Sequence, residues 1–341
     1  MKTYKKKQED IRRYILELII DKKKGIARRT AESFGVSEMT VYRYLKSMQE
    51  EGIIRKEAQG YSLISEERQY DIKLSGEMIE EDRVYRNCIE PVVADLSKNV
   101  RNIWEYCFSE MMNNAIEHSE AEHVRIQVNR NYMFVSVAII DDGIGIFRKI
   151  MEFFGFDTAG EVLEELFKGK LTTDSKNHSG EGIFFTSRIM DRFAAISEKT
   201  VFTHDKYDEW QTGLDGTFSD PDDGSNHGTA IIMMLSNFTR KTSKEIFDKY
   251  ADIEGGFKRT RIPLKNIYET YPVSRSQAKR LSHRLESFEE VELDFYGVDE
   301  IGQGFAHELF VKYARLHPEI KLTPVHTNKT IDNMIRHVQQ G

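Results

Sequence analysis

The sequence predicts a multidomain α+β protein: a small helical unit at the N-terminus, a central α/β sandwich and a short βαβα unit at the C-terminus. Three observations carry this expectation. The 341 residues suffice for two or three domains, each burying its own core. Charge divides along the chain: residues 1–60 hold 15 Lys or Arg against 9 Asp or Glu, a net +6, and the remainder holds 34 against 47, a net −13. Hydrophobic periodicity also changes, from purely helical to interleaved strand and helix. The expected boundaries are a unit at 1–65, a polar linker at 66–80, a domain at 81–240, a connector at 241–269 and a last domain at 270–341.

Residues 8–21 place Ile11, Ile15, Leu18 and Ile19 on one helical face, and two further helices follow at about 26–34 and 37–50. Gly35 ends the second and Ser37 caps the third. IIRKE at 53–57 and YSLI at 61–64, joined by a loop ending in Gly60, read as two strands of a small wing, which completes the outline of a winged helix-turn-helix. On its third helix Val41, Leu45 and Met48 face the core, leaving Thr40, Tyr42, Arg43 and Lys46 outward. These four, with Ser37 at the helix start, are candidate DNA contacts. Arg43 and Lys46 suit phosphates or guanine edges, and Ser37 with the helix N-terminus suits a phosphate. The local +6 in an acidic chain favours a polyanion at this end. A solvated charged face or a protein contact is the alternative.

From Glu81 to His118 the pattern is helical, and 124–128, a turn at 129–131 and 133–140 form a hairpin ending at Asp141. A helix over about 184–193 and strands near 195–204 and 228–235 complete a mixed sheet with helices on one face. The C-terminal pattern is a helix near 274–287, a strand at Val291–Phe295, a helix near Gly304–Leu316, the strand IKLTPV and a helix from Lys329. Cys88 and Cys107 have no paired spacing, which argues against a disulfide framework or a zinc site and suits buried thiols in a reducing cytoplasm. No stretch approaches the ~20 apolar residues of a membrane span, so the expected location is cytoplasmic, with no membrane partner.

Three segments concentrate chemistry: EMMNNAIEH at 110–118, DDGIGI at 141–146 and GEGIFF at 180–185. Glu110, Asn114, Glu117 and His118 share one helical face. Asn114 offers a neutral oxygen for Mg²⁺, and Glu110, one turn earlier, is placed to activate a water or hydroxyl attacking a γ-phosphate. Asp141 ends an apolar strand, where a carboxylate needs a partner, and the exocyclic amine of adenine is a suitable one. Gly143 and Gly145 let the backbone turn close to a base and ribose, while Gly180 and Gly182 precede a helix whose free N–H groups suit phosphates. Thr229, after Gly228, offers a hydroxyl to the adenine or to Asp141.

In this order, over about 120 residues, the three boxes and the Gly-Thr pair resemble the GHKL superfamily of gyrase, the heat-shock chaperone, histidine kinases and the mismatch-repair ATPase, across about 85–240. The resemblance implies a Bergerat α/β sandwich that binds ATP, with Asn114 on Mg²⁺, Asp141 on adenine and 147–179 as a lid containing Lys168, Lys170, Lys176 and His178. The first His in the chain is His118, inside this site, so the phosphoacceptor His of an ordinary histidine kinase is missing. Glu110 resembles the base of the ATP-hydrolysing members and of the anti-sigma-factor serine kinases. The segment GVSEMTVYRYLKSMQEEGIIRK resembles DeoR-like winged repressors, and VELDFYGVDEIGQGFAHELF resembles STAS-like domains over about 270–341. Where that last family carries a phosphorylatable Ser, this chain reads Ile301, Gly302, Gln303, Gly304, Phe305, with no hydroxyl. The expectation is an ATP-binding transcription regulator, a slow ATPase whose nucleotide state controls DNA binding, dimerisation or docking of a regulatory protein on the STAS-like unit. A serine/threonine protein kinase and a non-catalytic nucleotide-gated scaffold are the alternatives.

Overall fold

The computed structural model describes residues 2–75, 79–169, 181–204, 228–250, 257–268 and 271–340. At the N-terminus α1 (Lys2–Ile20), α2 (Ile26–Phe34) and α3 (Glu38–Glu50) precede a hairpin of β1 (Ile54–Glu57) and β2 (Gly60–Leu63), paired antiparallel from Ile54 with Leu63 to Glu57 with Gly60. Ile11, Ile15 and Ile19 of α1 join Val41, Leu45 and Met48 of α3 in one core. Gly35 stops α2 at φ 62°, giving its N–H to the Ala31 carbonyl. Ser37 caps α3, its hydroxyl accepting from the Thr40 N–H at 3.2 Å.

Residues 66–73 are a strand rather than a linker. They form β3 (Glu66–Lys73), paired along its length with β4 (His123–Arg130). Only Tyr70 and Ile72 turn toward the core, and the charged remainder protects an open edge, which is why the segment reads as polar. The next strands are β5 (Phe134–Asp141), β6 (Arg192–Ser197), β7 (Thr200–Thr203) and β8 (Ala230–Ser236). The six-stranded sheet runs β3-β4-β5-β8-β6-β7 with every neighbouring pair antiparallel, so it is not mixed. The cause is β8, which returns between β5 and β6, strands that run the same way, and pairs against both. The single strand expected at 195–204 is split into β6 and β7 by a turn at Glu198, φ 51°.

The helices of this domain are α4 (Glu81–Cys88), α5 (Glu90–Val93), α6 (Lys98–His118), α7 (Ile146–Phe154), α8 (Ala159–Lys168) and α9 (Gly182–Ile189). Trp104, Phe108 and Met112 of α6 pack with Ile126, Val137 and Met233 on one face of the sheet. The stretch expected to open a lid is instead α7 and α8, which bury Phe147, Ile150, Val162, Leu166 and Phe167. Residues 170–179 of that expected lid lie outside the described residues.

The expected connector also folds. It contributes α10 (Ser243–Tyr250), whose Phe247 ring sits 4.5 Å from that of Phe185 in α9, then β9 (Arg259–Pro263) and α11 (Leu264–Ile267). Next come α12 (Arg275–Ser282), β10 (Glu290–Asp294), and α13 (Gln303–His307), which continues as a π-helix over Glu308–Tyr313 into α14 (Ala314–Leu316); β11 (Lys321–Val325) and α15 (Lys329–Gln340) close the unit. The three strands form a parallel sheet, β11-β10-β9. β9 escapes the sequence pattern because RTRIP has only Thr260 and Ile262 inward.

A chain beginning at Ser65 keeps β3, whereas one beginning at Ser75 bares the edge of β4. In thermal melts the first should unfold cooperatively, and the second should lose more than about 2 kcal/mol or aggregate.

Candidate nucleotide site

α6 presents its apolar face to the sheet and its polar shoulder away from it. On that shoulder Glu110, Asn114 and His118 are partly buried and Glu117 is exposed. The first turn of α9 lies against it: a Cβ added to Gly182 would stand 2.2 Å from Glu110 Oε2. Glycine there lets the helix start and the carboxylate meet.

β5 delivers Asp141, 7% exposed. Its Oδ1 accepts from the Gly143 N–H at 3.0 Å and the Thr229 N–H at 3.1 Å, and its own N–H donates to the Thr229 carbonyl at 2.9 Å. The Thr229 hydroxyl accepts from the Ile146 N–H at 3.0 Å, and Gly145 opens α7 at φ 83°. Gly228 has no substitute, because a Cβ would lie 1.9 Å from the Asp141 carbonyl oxygen, a backbone atom. Asp141, Gly143, Gly145 and Thr229 thus form one cluster. Burial pushes the Asp141 carboxyl up to about 6, although the two backbone N–H groups favour its charged form.

The same loop is tied to α6 through residues the sequence reading missed. The Ser119 carbonyl accepts from the Ile144 N–H at 2.9 Å while its hydroxyl donates to the Ala115 carbonyl, and Lys149 Nζ donates to the His118 carbonyl at 2.6 Å. Asp142 accepts from the Glu122 and His123 N–H groups, each at 2.9 Å. The doubled Asp was the one visible signal, and nothing local marks Ser119 or Lys149.

Among the described residues no group of three or more His, Cys, Asp and Glu could hold a metal. A lone amide oxygen such as that of Asn114 fits Mg²⁺, which keeps its waters and takes phosphate oxygens, better than a metal needing a protein cage. Gly180, Lys170, Lys176 and His178 lie outside the described residues. Lys168 leaves the set of phosphate candidates: it is 1% exposed, with Nζ 2.6 Å from Glu165 Oε1.

On α3, Tyr42, Arg43 and Lys46 are exposed, and Lys46 stands 3.7 Å from Glu50. The Ser37 and Thr40 hydroxyls lie 3.0 Å apart, and Thr40 accepts from Arg43 at 3.1 Å, so both are already engaged. In the C-terminal unit Ile301 and Phe305 are buried in the core. Both cysteines are free and buried, and burial pushes the Cys88 thiol up to about 11. No described helix is long and apolar enough to cross a membrane.

Residues 100–236 match the family of histidine kinase-, DNA gyrase B- and HSP90-like ATPases. Residues 277–332 match a STAS-like domain of unknown function, DUF4325. The chain therefore carries an ATPase domain of the GHKL type followed by a STAS-like domain. A search of curated proteins gives no match.

Because folding raises the Asp141 pKa, the stabilisation linked to its proton is complete below the ordinary carboxylate range and is lost as pH rises through about 6. An amine partner needs the charged form, so binding follows the opposite course. Adenosine has no phosphate titrating here, and its affinity should fall about tenfold between pH 7 and pH 5 in calorimetric titrations. A flat profile would contradict the role of Asp141.

Proposed function

We propose that this chain is an ATP-dependent transcription regulator, in which the nucleotide state of the GHKL-type domain sets the DNA affinity of a winged helix-turn-helix formed by the N-terminal unit. The observation that carries the nucleotide half is the buried Asp141–Gly143–Thr229 cluster within a domain of ATPase type. With Oδ1 engaged by backbone, Asp141 presents its second oxygen to the adenine amine. Asn114 would hold Mg²⁺, which, when bound, neutralises charge on the phosphates. Glu110, against the first turn of α9, orients the attacking water and takes its proton. Slow hydrolysis is the expected activity, in the cytoplasm.

The DNA half rests on the exposed Tyr42, Arg43 and Lys46 of α3 and on the net +6 of residues 1–60. Coupling between the halves is supported by β5, whose far end touches the N-terminal unit. Met133, just before β5, packs on the N-terminal core, the Arg12 guanidinium lies 6.0 Å from the Tyr132 ring, and that of Arg13 lies 4.1 Å from the Phe238 ring. Asn131 Oδ1 stiffens this turn by accepting from the Met133 and Phe134 N–H groups. Regulatory proteins would dock on the STAS-like domain, and a homodimer is one form the switch can take.

Glu110 serves a protein hydroxyl as well as it serves water, which favours one second reading, a serine/threonine kinase of the anti-sigma type. Labelled ATP with cell lysate separates the two, since a phosphorylated protein marks the kinase and free phosphate alone marks the ATPase.

Glu110→Ala should keep ATP affinity within about threefold while lowering turnover roughly 10²–10⁴-fold, and equal turnover removes Glu110 from this role. Asn114→Ala should weaken ATP binding with Mg²⁺ but not with EDTA, by calorimetry. DNA capture and sequencing with apo, ADP-bound and ATP-analogue-bound protein should enrich particular sites in one state, and Arg43→Ala should abolish that enrichment. No enrichment in any state removes the DNA reading.

A further inference from the structure

Two cations on the ATPase domain end in the backbone of the C-terminal unit. Lys168, the last residue of α8, sends Nζ to Glu165 Oε1 at 2.6 Å and to the carbonyls of Arg280 and His283 at 3.2 and 2.8 Å. Those carbonyls lie at the C-terminal end of α12, where the helix dipole favours a positive charge, and the Arg280 carbonyl also accepts from the His283 N–H at 3.1 Å. The Lys168 carbonyl in turn accepts from the Thr260 hydroxyl on β9 at 2.7 Å. Arg188, in α9, donates to the Arg261 carbonyl of β9 at 2.9 Å, to the Phe167 carbonyl at 3.3 Å and to His204 Nε2 at 3.0 Å. Its guanidinium stacks 3.5 Å from the Phe184 ring centroid.

Most of the seam around these contacts is aromatic, with Phe257 packed on Phe184, Phe185 and Phe288. Ring packing tolerates sliding, whereas an N–H aimed at a backbone carbonyl does not. Lys168 and Glu165 pair within α8, so the contacts that cross the seam and fix its register are those of Lys168 to the Arg280 and His283 carbonyls and of Glu165 to His283 at 3.6 Å and Arg284 at 3.7 Å. The register held here reaches the nucleotide site, because α8 and α9 are pinned together and α9 begins at Gly182 against Glu110.

We propose that Lys168 and Arg188 are positioning residues for the nucleotide site: by anchoring the ends of α8 and α9 to the STAS-like unit, they set how the first turn of α9 meets Glu110 and so how the γ-phosphate end of the nucleotide is held. This rests on the ATP reading above. The Asp141 end, on β5 and β8, is not part of this linkage.

The test is a Lys168→Met, Glu165→Leu double variant, which replaces the buried pair with apolar groups. It should melt cooperatively, bind ADP within threefold of the wild-type affinity, and shift the preference for a non-hydrolysable ATP analogue over ADP by tenfold or more. A purely structural role would weaken both ligands together, and that result overturns the proposal, as does an unchanged preference in the folded variant. If the double variant does not fold, Arg188→Met carries the same expectation at the second pin. Wild-type protein that binds neither ADP nor the analogue overturns the ATP reading and this one with it, whereas normal wild-type binding with unchanged variants overturns this one alone.

Discussion

Asp141 is a carboxylate at the end of a strand that, apart from Ser136, is apolar because it lies inside a six-stranded sheet. Burial there raises the energy of its charged form, and the surrounding backbone is arranged to offset that cost. The Gly143 and Thr229 N–H groups converge on one oxygen, which requires the 141–146 loop to curl back and β8 to start beside the end of β5. Gly228 follows from the same requirement, since no side chain fits between the two strand ends. Ser119 then fastens the loop to the end of α6, so the helix bearing Glu110 and Asn114 and the strand bearing Asp141 are held as one body.

Around this body both flanking units make contact through cations and rings. Arg12 and Arg13 lie over Tyr132 and Phe238 at one end of the sheet. Lys168 and Arg188 enter the C-terminal unit beside an aromatic seam. The parallel sheet of the C-terminal unit begins with β9, within the segment expected to be a connector, so this unit is larger than its βαβα core. Its Ile301 and Phe305 are buried in the core of this unit.

Much of the architecture was legible in the sequence wherever a single element carried a full pattern. The spacing of Ile11, Ile15 and Ile19, the Gly35 stop, the Ser37 cap and the alternation of Val124, Ile126 and Val128 each specify local structure within one or two turns of chain. Glu110, Asn114, Asp141, Gly143 and Thr229 stood out as candidates for a related reason, since polar or glycine residues interrupt an apolar helix, end an apolar strand or precede one. β3, β9 and the break between β6 and β7 were not, because β3, although eight residues long, turns only Tyr70 and Ile72 inward and β9 only Thr260 and Ile262, too little periodicity to separate from a loop.

By itself, then, the sequence determined the helices of the N-terminal unit, the long helix α6 and the β4–β5 hairpin, because helix capping, glycine stops and hydrophobic alternation act between near neighbours in the chain. Only the tertiary structure decided that β8 returns between β5 and β6 to make the sheet wholly antiparallel, that Gly182 comes to rest on Glu110, and that Lys168 faces Glu165 and the α12 carbonyls instead of a phosphate. Those outcomes depend on partners 70 or more residues apart in several cases, such as Gly182 with Glu110 and Lys168 with His283, and on how a charge is satisfied once water is excluded.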